Sequence, residues 1–282
     1  MVGLPARSSK NLRTAHVSTR QGPMTSVRTH SSPMAVENPA GIYNRSMCGR
    51  YKLSRRKQII EERFDVPPGE AEEWAPRYNI APTQSVPVIR QHPKEPRRVM
   101  NLMRWGLVPA WAKDLSDSAR RINSRSETAA TLPAFRDAFQ HRRCLVPADG
   151  FYEWQRAKGS KQPYCFEVNG GELFAFAGLW ERWKEPSGAW LKSFSILTTT
   201  PNAVTSGVHD RMPVILDRAD YDLWLDPGMT KAGELVGMLR PLPAELMRSY
   251  PVSSRVNHVA NDDEACAVAV EAGAVPAQTS LF

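Results

Sequence analysis

The order of hydrophobic and polar positions separates the first part of the chain from the rest. Residues 1–46 are rich in Ser, Thr, Arg and Pro, and their few apolar residues follow neither a helical nor an alternating period. Such a segment buries too little apolar surface to offset the entropy lost on ordering, so we expect it to be disordered. Regular helical and alternating patterns of apolar residues start at Met47. They predict one folded domain over residues 47–262 and a flexible, small-residue-rich tail over residues 263–282.

Short apolar runs typical of β-strands fill the middle of this domain. They cover residues 85–90, 98–109, 142–154, 163–168, 173–183 and 193–200. Strands in the middle with helical patterns towards the ends predict an α+β fold. We expect a single compact domain around a strongly curved, barrel-like, mainly antiparallel sheet with flanking helices.

The helical patterns have recognisable starts. In the first, Ile59, Ile60 and Phe64 fall on one helical face, and Ser54 is a residue type that caps helix N-termini. The other two cover residues 217–225, which open with Asp217, and residues 230–239.

Charge and cysteine usage narrow the functional class. The 282-residue chain has a formal net charge of +8, and residues 1–46 hold six basic residues against one acid. The folded part is therefore only mildly basic, and its charge alone does not indicate a nucleic-acid partner. No apolar run reaches the roughly 18 residues of a membrane span, and the four cysteines contain no C-x-x-C pair. We expect a cytoplasmic protein with no metal and no other cofactor.

The segment SMCGRY (46–51) raises the question of where the mature, active protein begins. Met47 followed by Cys48 is how a protein would start if cysteine were its first working residue. We interpret residues 1–46 as a basic extension that is mis-assigned or removed. An organelle transit peptide is the alternative, since the segment is rich in Arg and Ser, but it lacks the amphipathic stripe typical of one.

Two titratable residues lie in settings that packing alone does not require. Glu153 lies between aromatic residues in GFYEW, at the end of a run that looks buried. Burial raises a carboxyl pKa towards the range of a general acid or base, although a structural ion pair with an arginine is equally consistent. His209 lies beside Asp210 in VHDRMP, and a single histidine is ordinarily just hydrogen-bonded.

Polar and aromatic residues in three further segments could face a ligand. In INSRSET, Asn123 and Arg125 lie on the same side if the segment is extended. PRYNIAPTQ joins Arg77 and Asn79 to a proline-bounded turn, and WGLVPAWAKD has Trp111 near prolines. Aromatic residues near arginines suit unstacked bases, although most tryptophans are core residues.

Taken together, these segments resemble the successive signature blocks of the SRAP family, the SOS response-associated peptidases, which shield abasic sites by crosslinking to DNA. The blocks run in order from Met47 to about residue 216, and they are MCGRY, PRYNIAPTQ, WGLVPAWAKD, INSRSET, RRCLVPADGFYEW and HDRMPVIL. One departure is that the family's cysteine normally follows the initiator methionine directly, whereas 47 residues precede it here.

The resemblance implies a role for particular residues. It implies four catalytic residues, namely Cys48, Asn123, Glu153 and His209. It implies phosphate contacts by Arg50, Arg77, Arg125 and Arg211, and a DNA-facing pocket lined by Asn79, Pro82 and Trp111. The implied partner is single-stranded DNA with abasic sites, bound by a monomer in the cytoplasm near the nucleoid.

The crosslinking chemistry needs a terminal cysteine. A free α-amine has a pKa of about 7.7–8.0 and condenses with the sugar aldehyde of an abasic site. The thiol of the same residue can then close a five-membered thiazolidine ring, which an internal Cys48 could not form. Two other classes stay open. A cysteine hydrolase with a Cys48–His209 dyad would not need the amine, and a non-catalytic single-strand binder would not need Cys48.

The last residues carry a separate motif. QTSLF, with Gln278, Leu281 and Phe282, resembles the short peptide that bacterial repair proteins insert into the replication sliding clamp. Two adjacent apolar residues on a flexible tether could fill a hydrophobic cleft. The alternatives are a frayed end, or a tail that docks on its own domain.

Overall fold

The structure is a computed structural model and describes residues 49–69, 72–157 and 160–271. Within these ranges the strands are β1 Arg50–Leu53, β2 Arg77–Ile80, β3 Ser85–Gln91, β4 Arg98–Trp105, β5 Asn123–Arg125, β6 Arg143–Ala148, β7 Gly150–Ala157, β8 Ser160–Val168, β9 Phe174–Lys184, β10 Trp190–Thr199, β11 Met212–Pro213 and β12 Met247–Pro251. The α-helices are α1 Lys57–Arg63, α2 Ser126–Ala129, α3 Arg136–His141, α4 Tyr221–Leu225 and α5 Ala232–Gly237.

Within the described ranges, a set of five strands closes into a barrel. β10 pairs with β4, β4 with β3, β3 with β6 and β6 with β9, and β9 returns to β10. These pairs are antiparallel except β10 with β4. β5 and β11 pair with β10 outside this ring. The expected α+β fold around a barrel-like, mainly antiparallel sheet is confirmed.

The second sheet has the strand order β12, β8, β7, β1, β2, and its two faces have different neighbours. Successive side chains of a strand point to opposite faces. On one face the Tyr51 ring packs 5.2 Å from the ring of Trp105 in the barrel. On the other, Tyr152 belongs to a smaller cluster with Val252, Val256 and Cys266 of the C-terminal segment. The candidate residues on this sheet, Arg50, Asn79 and Glu153, divide between these two faces.

A buried aspartate explains two differences from the sequence-based expectations. The expected single strand over 142–154 is two strands, β6 and β7, separated by Asp149. The Asp149 carboxylate is fully buried and accepts hydrogen bonds from the backbone N–H of Ser54, at 3.1 Å, and from its hydroxyl. Ser54 is therefore not the cap of α1, whose N-cap residue is Arg56 without a side-chain cap.

The expected apolar face of α1 is correct only in part. Ile60 is fully buried, but Ile59 is 47% exposed and does not share its face.

The helical expectations near residues 217–239 are confirmed. The Asp217 carboxylate accepts from the backbone N–H of Ala219 at 3.0 Å and caps a short 3-10 turn that leads into α4. α5 lies within the expected 230–239.

Part of the segment that was expected to be a flexible tail, residues 263–282, is folded. A 3-10 turn over Glu264–Cys266 buries the Cys266 side chain completely, and Ala269 forms a β-bridge with Val252. Cysteine and small apolar residues can pack as well as larger ones, which is why composition alone misled here.

In the described part of the chain, no helix is both long and apolar enough to cross a membrane.

Candidate functional site

Glu153 lies in the middle of β7, with a side chain that is only 4% exposed. It was expected at the end of a strand, but the strand continues to Ala157. The neighbouring strand β1 pairs with β7 so that Arg50 is opposite Tyr152. Glu153 therefore lies one residue beyond the start of β1, on the side of Gly49. It shares the face of Phe151, which packs towards the barrel.

Asn123 and Arg125 lie on β5, which pairs with β10 in parallel, with Asn123 opposite Ile196 and Arg125 opposite Thr198. Asn123 is half-buried and Arg125 is exposed, while Ser124 between them is buried. The two residues therefore share one face of the strand, as the sequence predicts.

A cleft of about 480 Å³ brings three parts of the chain together. Its lining residues are Arg125, Trp154, Gln155, Arg156, Gly207, Val208, His209 and Asp210. The Gln155 side chain donates from Nε2 to the carbonyl oxygen of Gly207 at 3.0 Å, which joins β7 to the loop that carries His209. Glu153 is adjacent in sequence to this lining, and Asn123 is two residues away from it on β5.

The charge state of His209 is set by its surroundings. Burial lowers its pKa below the ordinary value of 6.5, Asp210 partly offsets this, and Arg156 lowers the pKa further. Nδ1 lies 2.8 Å from the carboxylate of Asp210 and 3.2 Å from the backbone nitrogen of Arg211. The neutral ring can accept from Arg211 through Nδ1, and the protonated ring can donate to Asp210. When Nδ1 of the neutral ring accepts from Arg211, or when the ring is protonated, Nε2 carries a hydrogen that it can donate to a ligand.

Arg211 is held by an acidic side chain. Its guanidinium makes a bidentate ion pair with the carboxylate of Glu127, with one N–O distance of 2.8 Å, and also donates to the carbonyl oxygen of Thr198 at 2.6 Å. The hydrogen bond from Arg211 holds the pKa of Glu127 below its usual value. A phosphate contact by Arg211 stays a prediction, and it would compete with this pair.

Arg50 and Asn79 bind the C-terminal segment of the same chain, on the face of the second sheet away from the barrel. Oδ1 of Asn79 accepts from Arg50 at 2.8 Å. Nδ2 of Asn79 lies 2.7 to 3.1 Å from the carbonyl oxygens of Val256, His258 and Asn261. Arg50 itself donates to the carbonyl of Val256 at 2.7 Å. We call these two side chains and the backbone they bind, together with Asp262, the C-terminal clasp.

Asp262 completes the clasp from the other side. Its carboxylate accepts from the backbone N–H groups of Tyr78 and Asn79, both at 2.7 Å, and pairs with Nε of Arg77. Arg77 also donates to the side chain of Gln84 at 2.9 Å. One carboxylate thus ties the start of β2 to residue 262.

The expectation that Asn79 lines a DNA-facing pocket fits this geometry poorly. The Asn79 side chain is fully buried, and its oxygen and nitrogen are both engaged within the protein. A side chain without exposed surface cannot contact DNA unless the C-terminal segment moves. The structure therefore favours a positioning role for Asn79.

The other expected pocket residues lie nearer to solvent. Trp111 is 64% exposed, and the guanidinium carbon of Arg121 lies 6.0 Å from its ring centroid. Pro82 is half-buried in the turn after β2. Cys48, Gln278, Leu281 and Phe282 lie outside the described residues. Across the described ranges, no group of three or more His, Cys, Asp or Glu side chains is arranged to hold a metal ion.

Some residues of this region were not found by sequence reasoning. Trp154, Gln155 and Arg156 line the cleft, and Trp154 could have been found because it follows Glu153 directly in GFYEW. No feature of the sequence around Asp262 pointed to its role, because its partners are more than 180 residues away in the chain.

The comparisons with known proteins agree with the resemblance seen in the sequence. Residues 47–259 match the family model of the SOS response associated peptidases, SRAP, and the chain belongs to this family. It is 40% identical to a Bacillus subtilis protein named abasic site processing protein YoqW, over 77% of this chain and 96% of that one. It is 33% identical to the abasic site processing protein HMCES of Gallus gallus, over 80% and 79% of the two chains. A crystal structure of a Bacteroides thetaiotaomicron protein matches with a TM-score of 0.68 and 25% identity, over 79% of this chain and all of the other.

Proposed function

We propose that this protein recognises abasic sites in single-stranded DNA and forms a covalent crosslink to them through Cys48 as the N-terminal residue. The family and the names of the relatives support the substrate. The observation that carries the proposal is the location of Glu153. This buried carboxyl lies one residue beyond the start of β1, and β1 begins two residues after Cys48.

The crosslink forms in two bonding steps. The α-amine of Cys48 attacks the sugar aldehyde, and loss of one water leaves a carbon–nitrogen double bond. The thiol sulfur then adds to that carbon while its proton passes to the nitrogen, which closes a thiazolidine. The product has the mass of protein plus DNA minus one water. An imine that escapes ring closure could instead eliminate the 3′ phosphate, which would be a lyase side reaction.

Glu153 suits the proton transfers of the first step. Carbinolamine formation moves a proton from nitrogen to oxygen, and its collapse releases water, so one group must act as base and then as acid. The Glu153 carboxyl, which is 4% exposed, would accept the proton of the amine and return it to the departing hydroxyl.

His209, Asn123 and Arg125 suit the handling of the sugar. The abasic sugar reacts only in its open form, and a donor from His209 to the departing ring oxygen would assist opening. Asn123 would hold the sugar or the amine by neutral hydrogen bonds. Arg125, exposed at the cleft, would bind the neighbouring phosphate.

The same site would release the segment before Cys48. Hydrolysis of the peptide bond between Met47 and Cys48 consumes one water and frees the amine that the crosslink needs. Mature active protein should then start at Cys48, by this cleavage or by initiation at Met47. N-terminal sequencing of crosslinking-competent protein tests this, and an active chain that retains residues 1–46 would contradict it.

The crosslink is tested with protein that starts at Cys48 and single-stranded DNA with one abasic site. The expected product is a stable adduct with the mass given above. Cys48→Ala should abolish it, and Cys48→Ser should leave at most an imine that borohydride traps. An undiminished stable adduct from Cys48→Ala would refute the assignment. A hydrolase would keep its activity when the amine is acetylated, and a simple binder would form no adduct.

The final residues extend the proposal to a second partner. We assign QTSLF, with Gln278, Leu281 and Phe282, as a peptide that inserts into the replication sliding clamp, which would deliver the protein to stalled forks in the cytoplasm. A peptide of the last dozen residues should bind the clamp with roughly micromolar affinity. Leu281→Ala with Phe282→Ala should abolish this binding and spare the crosslink. Failure of both peptide and full-length protein to bind would remove this part of the proposal.

A further inference from the structure

The hairpin of β9 and β10 presents an aromatic and cationic surface far from the cleft along the strands. Trp190 is directly opposite Lys184, and Lys192 is directly opposite Arg182, so the four side chains share one face. Trp190 is 59% exposed, and Arg182 and Lys184 are exposed as well. A large aromatic side chain with this much exposed surface contributes little to the core.

The cations of this surface are arranged over the indole rings. The guanidinium carbon of Arg182 lies 5.1 Å from the Trp190 centroid, and Nζ of Lys184 lies 5.9 Å from it. A third cation, Arg90, lies 5.0 Å from the ring centroid of Trp180. Cation–π contacts hold charged groups in place without neutralising them. We call Arg90, Arg182, Lys184, Trp190 and Lys192 the hairpin patch.

The charges of the hairpin patch repel one another. Burial and the nearby charge of Arg90 lower the pKa of Lys192, with Glu72 partly offsetting them. The nearest acid along β9, Glu181, is buried on the opposite face, where it pairs with Arg142 at 2.7 Å. Glu185 at the turn accepts from the hydroxyl of Ser187 at 3.3 Å. The surface therefore keeps a positive charge that a polyanion would stabilise.

We propose that the hairpin patch binds the phosphate backbone of the DNA that flanks the abasic site. Phosphates would pair with the cations, and an unstacked base or a sugar would pack on Trp190. An acidic protein segment would match the charge but would offer no planar face to the indole ring. This inference rests on the proposed function, because the DNA must be placed by the lesion.

The strand register gives the distance between the patch and the cleft. Arg125 of the cleft is opposite Thr198 on β10, and Trp190 is eight residues earlier on the same strand. At about 3.3 Å per residue the separation is roughly 26 Å. A strand stacked as in a duplex, at about 3.4 Å per nucleotide, would need about eight nucleotides to span this distance, and an extended strand roughly half as many. DNA arms of about two nucleotides should therefore not reach the hairpin patch.

The test compares short and long arms. Protein starting at Cys48 is titrated with abasic DNA that has about two or about sixteen nucleotides on each side, by fluorescence anisotropy at several salt concentrations. Wild type should bind the long substrate more tightly. Arg182→Glu with Lys184→Glu should remove most of that gain, about tenfold or more, and lower the salt slope by roughly 1.4. Trp190→Ala should remove part of it.

A matched control separates the patch from net charge. Lys231→Glu with Arg240→Glu changes the same charge at exposed positions near α5 and should keep the long-arm gain. The variant with Arg182→Glu and Lys184→Glu, called the patch variant below, should also crosslink the short substrate at the wild-type rate at saturation. If it keeps the wild-type long-arm gain, the inference is wrong and the proposed function is unaffected. The inference is also wrong if a poly-glutamate peptide competes as well as DNA of equal charge.

If wild type forms no adduct with either substrate, the proposed function fails. The inference about the hairpin patch is then tested by measuring binding to undamaged single-stranded DNA. The patch variant should still bind this DNA more weakly than the control variant. Equal binding by those two variants would overturn the inference on its own.

Discussion

Replacing Asn79 by alanine should disconnect the C-terminal segment from the sheet that carries the candidate site. The side chain is fully buried and makes contacts with three backbone carbonyls and with Arg50. A neutral hydrogen bond contributes about 0.5–1.5 kcal/mol to stability, and one to a charged group about 1.5–3 kcal/mol. Water can reach some of the freed carbonyls, so we expect a net loss of roughly 3–4 kcal/mol.

The expected loss is large enough to measure by thermal unfolding. For a domain of this size, about 1 kcal/mol lowers the melting temperature by roughly 2–4 °C, so Asn79→Ala should melt roughly 6–16 °C lower than wild type. Asn261→Ala is the matched control. It removes one exposed hydrogen bond to the carbonyl of Arg255 but keeps the backbone carbonyl that Asn79 binds. It should cost about 1 kcal/mol or less.

Arg50 links this stability effect to the DNA binding that the family resemblance implies for it. It begins β1, two residues after Cys48, and Asn79 is one of its acceptors. Asn79→Ala should therefore weaken abasic-DNA binding in the same direction as Arg50→Ala, and the double variant should be less than additive by roughly 1.5–3 kcal/mol in stability. Melting temperatures of Asn79→Ala and Asn261→Ala within 2 °C of each other would refute the reasoning.

Three further changes test the candidate site. Glu153→Gln should slow adduct formation by roughly 10²–10⁴-fold and leave abasic-DNA affinity within a few-fold; lost affinity at an unchanged rate would reverse its role. Because burial lowers the pKa of His209, its acid form grows only as the pH falls below about 6.5. The ratio of wild-type to His209→Gln crosslinking rates should therefore rise as the pH falls from 7.5 to 5.5, and a flat ratio would exclude an acid role. Arg125→Ala should weaken binding and lower the salt slope by about one, unlike a change at a residue without phosphate contact.

Sequence reasoning succeeded where a signal was local. Runs of β-type residues found most of the barrel strands, and the cap at Asp217 was visible as a residue type before a helical pattern. It failed where a partner was distant. Ser54 looked like a helix cap, but its hydroxyl is used by Asp149, which is 95 residues away and interrupts a run that reads as one strand.

The same limit applied to the site. Asn123 and Arg125 could be grouped because strand periodicity puts them on one side. Glu153 could be singled out because an acid between aromatic residues is costly to bury. Nothing in PRYNIAPTQ showed that Asn79 would be buried against residues 256–261, because that contact depends on how the whole C-terminal segment folds back.

The side chains of β1 alternate between two faces of the second sheet that have different neighbours. Tyr51 points to the barrel, the face that Glu153 shares, while Arg50 points to the face covered by the C-terminal segment. The family match ends at residue 259, yet Asp262 and Cys266 hold that cover in place. The segment just beyond the family match therefore helps to hold Arg50 in place. If Arg50 binds a phosphate, as the family resemblance implies, truncating the chain before Asp262 should impair DNA binding even though every candidate catalytic residue remains.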